Sequence, residues 1–280
     1  MKTLWYDAGP AGLAVADRRT PVLALHGSAS TGSLWQGLSD YLRGRYRLTA
    51  PDLPDVAGAG SAAEARTIEV LELGNEPVHI VGHAHGAAIA LEIALSRPEL
   101  VRSLTLIEPT VFHLLCEGDR SDLRLFAELF ALSDRMDSLM EAGDVTAGMR
   151  HYTDFWHGGG AWQRTSLGLR SDLAQRARRT ASDLSADLAE AWPMMRLAEI
   201  DCPTLVAMAL ESPVASLRVA EMTAEAIPGA RLAMIADAGH MSPLTDPHIV
   251  DPLIGGHLKS ADSVRSGAMR PSHHRYAFWA

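Results

Sequence analysis

Short apolar runs bounded by glycine and proline alternate with longer helical stretches along most of the chain. Helical periodicity covers residues 33–43, 62–73, 85–97, 214–227 and 246–257. Six apolar runs lie before, between and after these stretches and are typical of strands buried on both faces: residues 21–25, 47–50, 78–82, 101–107, 204–209 and 231–235. This alternation predicts an α/β fold, a mostly parallel sheet flanked by helices.

The pattern also predicts where the chain departs from simple alternation. Residues 116–200 carry helical periodicity with no strand between, which predicts a helical cap inserted between two parts of the core, residues 1–115 and 201–259. Such an insertion lies over the C-terminal ends of the strands, where open α/β sheets bind ligands; a helical decoration without a functional role is the alternative. We expect residues 3–17 to form an edge hairpin and residues 260–280, polar and aperiodic, to be a loosely ordered tail.

Composition narrows the classes of function. The 280 residues carry a net charge of −9 with scattered arginines, which argues against nucleic acid as a partner. No run of eighteen apolar residues and no signal-peptide pattern is present, so we expect a cytoplasmic protein without a membrane partner. Cys116 and Cys202 lie far apart, which argues against a disulfide scaffold or a zinc site. Monomer and homodimer both remain open.

The sequence VHIVGHAHGAAIALEIALSRP, residues 78–98, is arranged to present a reactive side chain. A strand ends at Gly82 and a helix begins by His85, so the residue in the middle of the turn adopts a strained backbone conformation. Gly82 and Gly86 allow the strand and the helix to approach closely. Position 84, in the middle of that turn, is alanine and has no nucleophilic group.

Residues 82–86, Gly-His-Ala-His-Gly, resemble the Gly-x-Ser-x-Gly nucleophile elbow of the α/β-hydrolase superfamily in every position except the serine. Glycines that merely permit tight packing are the alternative. The His-Gly turn of LALHGSAS, residues 23–30, is similar to the family's oxyanion turn. The resemblance implies an oxyanion hole formed by the backbone N–H groups of Ser28, with Ala29 as an alternative, and of His85.

The resemblance extends to the base and the acid of a catalytic triad. DAGHMSPL, residues 237–244, follows the last predicted strand and resembles the segment that carries the family's base, which implies His240. At the usual place of the acid, in ALESPVAS, stands Ser212. Some members carry the acid one strand earlier, which implies Glu108 in LTLIEPTVF, with Glu211 as the alternative.

Other residues near these turns are weaker candidates for binding a metal or a substrate. His83 and His85 flank position 84, but no carboxylate or thiolate lies at ligand spacing in the sequence, so we expect no metal and no cofactor. Trp35, Trp156 and Met241 are candidates for lining a pocket for a small hydrophobic substrate, with ordinary packing as the alternative.

Two interpretations explain Ala84. In the first, the chain is a serine hydrolase acting on a carboxylic ester, thioester, lactone or amide bond of a small hydrophobic substrate, with the serine replaced so that substrate binds but barely turns over. In the second, it is a natural non-hydrolytic member, in which His240 is the base of a lyase, an isomerase or a cofactor-free oxygenase, or in which the pocket only binds a ligand.

Overall fold

The protein is described by a computed structural model that covers residues 19–54, 60–265 and 276–279. The hairpin expected at residues 3–17 lies outside these ranges. Seven strands form one sheet in the order β2-β1-β3-β4-β5-β6-β7, and every neighbouring pair is parallel. They are β1 (Thr20–Leu25), β2 (Tyr46–Thr49), β3 (Val78–His83), β4 (Val101–Ile107), β5 (Thr204–Ala209), β6 (Arg231–Ile235) and β7 (Tyr276–Trp279). The prediction of an α/β fold with a mostly parallel sheet flanked by helices is confirmed.

Ten α-helices are present in the described part of the chain. They are α1 (Gln36–Leu42), α2 (Gly60–Glu72), α3 (His85–Ser96), α4 (Arg120–Glu141), α5 (Val145–His157), α6 (Ala161–Arg164), α7 (Leu167–Ala189), α8 (Val214–Ala226), α9 (Ser242–Thr245) and α10 (Pro247–Arg265). Within the described residues, no helix combines the length and the apolar character needed to cross a membrane.

Alternate residues of each strand enter two separate cores, because successive strand side chains point to opposite faces of the sheet. On one face, residues such as Leu23 and Ile80 pack with α2, α3, α8 and the helices after β4. On the other, residues such as Val22 and Val81 pack with α1 and α10. Burial on both faces explains why the strands are continuous apolar runs.

Helices α4 to α7 lie between β4 and β5, in the region expected to form a cap. Their starts are set by side chains that accept hydrogen bonds from the first N–H groups of the helix: Asp119 at α4, in a reciprocal capping box with Asp122, Asp144 at α5 and Ser166 at α7. Helix α7 contacts both α2 and α3, so this block packs directly on the helix that begins at the elbow.

The expectation of a loosely ordered tail from residue 260 is corrected in part. Helix α10 continues to Arg265, and β7 pairs with β6 at the edge of the sheet. The end of α10 is polar and aperiodic in the sequence, but this polarity does not mean disorder. Asp262 pairs with Arg102 and accepts a hydrogen bond from Tyr46.

Candidate active site

Ala84 occupies the strained turn between β3 and α3. Its φ is 49° and its ψ is −119°, a region that residues with a Cβ rarely adopt. The turn is held by Ala84 N–H, which donates to Ile107 O at 2.9 Å, and by Ala84 O, which accepts from Ala87 N–H at 2.9 Å. The backbone therefore keeps the geometry that presents a nucleophile, although the side chain is a methyl group.

The two glycines of the elbow are required by close backbone contacts. A Cβ added at Gly82 would lie 2.5 Å from Ala87 Cα, and one at Gly86 would lie 2.4 Å from Leu25 O. Both obstacles are backbone atoms that cannot move aside as a flexible side chain could. The glycines therefore set the separation of β1, β3 and α3 at this point.

His240 and Glu108 form a buried pair beside the elbow. His240 Nδ1 lies 2.5 Å from Glu108 Oε2. The carboxylate also accepts hydrogen bonds from Ser216 Oγ at 3.0 Å, Ser212 Oγ at 2.6 Å and Ala209 N–H at 2.7 Å. Burial raises the pKa of the Glu108 carboxyl, but the hydrogen bond and charge of His240 and the bonds from Ser212 and Ala209 outweigh it and hold the pKa below its usual value. Glu108 is thus an ionised partner for the imidazole.

The structure distinguishes the two carboxylates considered as the acid. Glu108 directly follows β4, has a φ of 47° and is fully buried, whereas Glu211 is exposed. Ser212, which stands at the usual place of the acid, donates its hydroxyl to Glu108. Sequence reasoning missed this support and that of Ser216; the serines in ESPVAS were the only available signal.

His83 and Trp156 fix the surroundings of His240. The carbonyl of His240 accepts a hydrogen bond from His83 Nε2 at 2.8 Å, and burial together with His240 lowers the pKa of His83 to about 3. His83 is therefore neutral with its proton on Nε2. On the other side, the ring of Trp156 stacks on the His240 ring at 4.0 Å between centroids. Trp156 is the only one of the three weaker pocket candidates that contacts His240 among the described ring contacts.

Trp35 and Met241 both contact the core cluster on the α1–α10 side of the sheet. Trp35 is buried in the core between the sheet and the α1–α10 face, and Met241 packs against the same cluster. That they also line a substrate pocket stays a prediction.

The turn after β1 lies against position 84. His26 donates from Nδ1 to Gly27 O at 2.8 Å, and its Nε2 accepts from Leu53 N–H at 3.0 Å, so the imidazole ties the turn together. A Cβ added at Gly27 would lie 3.0 Å from the Ala84 Cβ. Ser28, next in the chain, is therefore close to the elbow.

The second implied oxyanion donor is at the start of a helix. His85 is the first residue of α3, and the first N–H groups of a helix have no partner within it. Ala29, the alternative to Ser28, has a φ of 61°. The assignment of the Ser28 (or Ala29) and His85 N–H groups as oxyanion donors stays a prediction of the resemblance.

The His85 side chain lies in a buried charged cluster that sequence reasoning missed. Its Nδ1 lies 2.7 Å from Asp187 Oδ1, its Nε2 contacts Glu64, and Asp183 lies 4.0 Å away. Arg179 pairs with both Glu64 and Asp183. Burial disfavours charge on the ring, but the carboxylates, Asp187 foremost, outweigh it and raise the pKa of His85 well above its usual value.

Glu64, His85 and Asp183 offer ligand atoms within 4.8 Å of one another, the geometry of a possible metal site. Sequence spacing could not reveal this group, because Glu64 and Asp183 come from distant parts of the chain. Both carboxylates already face the guanidinium of Arg179 and the His85 ring. These groups are satisfied as an internal ion-pair cluster.

The chain is similar in sequence to a known protein family and to several characterised or named proteins. A model of the alpha/beta hydrolase family matches residues 22–251. The chain is 37% identical over 94 residues to a pimeloyl-[acyl-carrier protein] methyl ester esterase of Methylococcus capsulatus, covering 32% of this chain and 37% of that protein. It is 31% identical over 181 residues to the "Putative carbamate hydrolase RutD" of Pseudomonas savastanoi pv. phaseolicola, covering 62% of this chain and 65% of that protein.

A solved structure of a hydrolase from Oleispira antarctica superposes with a TM-score of 0.66 at 20% identity, covering 86% of this chain and 91% of that one. The alignments with the two sequence relatives span less than two thirds of either relative. The likeness to the solved structure shows the fold alone.

Proposed function

Because the chain belongs to the alpha/beta hydrolase family, we propose that its site is built to hydrolyse a carboxylic ester, thioester, lactone or amide bond of a small hydrophobic substrate. The observation that carries this proposal is the buried pair of His240 and Glu108 beside a strained elbow, 2.5 Å between Nδ1 and Oε2. An ionised carboxylate on one imidazole nitrogen leaves the other free to accept a proton.

Each group has a defined role in this reaction. In a serine-bearing site, His240 takes the serine proton as Oγ attacks the carbonyl carbon, and returns it to the leaving group, which departs and leaves the acyl group on Oγ. A water molecule that gives a proton to His240 then attacks the acyl carbon, and the acid is released as His240 returns the proton to Oγ. The carbonyl oxygen becomes negative and is bound by the N–H groups of Ser28 and His85. Glu108 orients the ring and stabilises the imidazolium.

Ala84 removes the covalent route in this chain. A water molecule must then attack, losing its proton to His240, and the bond to the leaving group breaks as His240 returns that proton. Removal of a triad nucleophile has cost a related catalytic site on the order of 10⁶-fold in turnover while leaving binding in place. We therefore expect this chain to bind its substrate and turn it over very slowly.

The surroundings support an apolar acyl group. Trp156 stacks on the His240 ring and in turn contacts Phe112 and Phe155, so an aromatic cluster borders one side of the base. The names of the two sequence relatives, a methyl ester esterase and a carbamate hydrolase, both describe cleavage beside a carbonyl carbon. These names support the reaction class and leave the substrate to be found.

The Ala84→Ser variant tests the proposal. We expect it to hydrolyse chromogenic acyl esters at least about 10³-fold faster than the parent chain, because the remaining machinery is assembled. A fluorophosphonate should add to residue 84, detected by intact mass and peptide mapping. Ala84→Ser with His240→Ala is the control and should neither turn over nor label. A folded Ala84→Ser variant that stays silent in both assays contradicts the hydrolase proposal.

A second candidate is proton transfer without hydrolysis, as in a lyase or an isomerase. The observation that favours it is that the His240 and Glu108 pair is complete without any group from position 84. Its test is deuterium incorporation next to the carbonyl of small carbonyl compounds, followed by NMR with the parent chain. Exchange that disappears in His240→Ala supports this candidate, and absence of exchange with the whole panel counts against it.

A further inference from the structure

One stripe of helix α7 faces the core with charged side chains. Arg179, Asp183 and Asp187 are spaced four residues apart and therefore lie on the same face of the helix. Both aspartates are buried, in a position where an isolated charge would be costly. Each aspartate therefore needs a hydrogen-bonding or oppositely charged partner on the core.

Each buried aspartate reaches a segment that borders position 84. Asp183 Oδ2 accepts a hydrogen bond from Ser28 Oγ at 2.9 Å, in the turn after β1. Asp187 Oδ1 lies 2.7 Å from His85 Nδ1 at the start of α3, and its Oδ2 accepts from Thr110 Oγ1 at 2.5 Å. Ser28 and His85 are the residues whose backbone N–H groups the proposed function assigns to the oxyanion hole.

The remaining members of the cluster hold the aspartates in place. Arg179 donates from Nε to Asp183 Oδ1 at 2.7 Å and also pairs with Glu64 of α2, which contacts His85 Nε2. Because both ring nitrogens of His85 face carboxylates, the ring donates from both sides. The contacts form one continuous network from the turn after β1, through α7, to the start of α3.

We propose that this network makes α7 a positioning element of the oxyanion hole: Asp183 fixes the Ser28 turn and Asp187 fixes His85, so that docking of α7 sets the separation of the two N–H donors. The inference rests on the proposed function. Neither aspartate contacts the reacting atoms; each acts through the residue it holds. Oxyanion donors stabilise a transition state only when they are fixed in advance, which gives the network its effect on rate.

The test is Ser28→Ala in the Ala84→Ser background. This change keeps the backbone N–H of residue 28 and removes only the hydroxyl that Asp183 holds. Complete loss of one oxyanion donor costs about 10²–10³-fold in kcat, so a donor that is present but loosened should cost about 5–30-fold, with KM within about twofold. Asp183→Asn, which disturbs the Ser28 and Arg179 contacts together, should lower kcat at least as much.

Ser61→Ala provides a matched control. Ser61 Oγ donates to Glu190 Oε1 at 2.8 Å, so it also links the core to the end of α7 through a serine and a carboxylate. It does not lie in an oxyanion segment and should leave kcat within about twofold. Equal kcat losses in Ser28→Ala and Ser61→Ala, at equal melting temperatures, would show general docking of α7 and overturn the inference.

Amide hydrogen exchange in the parent chain separates failure of this inference from failure of the proposed function. Peptides that contain residues 28 and 85 should exchange faster in Asp183→Asn and in Asp187→Asn, respectively, but not in Ser61→Ala. Faster exchange together with a silent Ala84→Ser variant would keep the positioning network and reject hydrolysis. Unchanged exchange in both peptides would reject the network whatever the enzyme does.

Discussion

At the scale of single residues, Glu108 should make stability depend on pH in a predictable direction. Its pKa is below the usual value in the folded chain, so the unfolded chain binds the proton first as pH falls. Its stabilisation is therefore complete above its ordinary pKa of 4.5 and is lost as pH falls through the lower folded value. Glu108→Gln should lose about 3 kcal/mol at pH 7 and should be closer to the parent in acid.

Urea unfolding at several pH values measures this difference. Glu211→Gln is the control, because Glu211 is exposed, and it should change the free energy of unfolding by less than about 0.5 kcal/mol. If Glu211→Gln is the more destabilising change, the assignment of Glu108 as the partner of His240 fails. The comparison also separates the two acids that the sequence left open.

A site residue could be predicted from the sequence only when the residues next to it in the chain indicated its role. Glu108 could be proposed because it directly follows a predicted strand, whereas the hydrogen bond that Ser212 donates to it was not foreseen. Asp183 and Asp187 could not be proposed, since helical aspartates spaced by four look like a solvated face. Only the packing of α7 on α3 turns that face inward.

At the scale of elements, the elbow depends on backbone contact between β1 and α3. Gly86→Ala would place a Cβ 2.4 Å from Leu25 O and 2.5 Å from His26 O, so α3 would have to move away. We expect a loss of about 3 kcal/mol or more, measured by urea unfolding. Gly168→Ala, at an exposed position of α7 with open space around it, should instead stabilise by about 0.5 kcal/mol.

If Gly86→Ala unfolds at the same urea concentration as the parent, the close approach of β1 and α3 is not a requirement of the fold.

The strands and helices of the core could be predicted well from the sequence. Strands buried on both faces are apolar throughout, and glycines at the elbow are forced by contact, so both leave direct traces in the sequence.

At the scale of the whole molecule, polar contacts over long sequence separations were the unpredictable part. Asp262 in α10 accepts from Tyr46 Oη at 2.9 Å and from Arg102 Nη1 at 2.7 Å, and lies 3.3 Å from His79 Nε2. These partners belong to β2, β4 and β3, so one side chain joins the last long helix to three strands. The polar, aperiodic sequence at the end of α10 does not predict these contacts.

Two truncated chains would test that role. A chain that ends at Lys259 lacks Asp262, whereas one that ends at Arg265 keeps it and loses β7. We expect the shorter chain to be less stable than the longer one by about 3 kcal/mol in urea unfolding, because Tyr46 and Arg102 lose their partner and α10 loses its last turns. Asp262→Asn in the full chain should reproduce at least about 1 kcal/mol of that loss. Equal stability of the two truncated chains would mean that the sheet is held without this contact, and that the last residues of α10 are as dispensable as their sequence suggests.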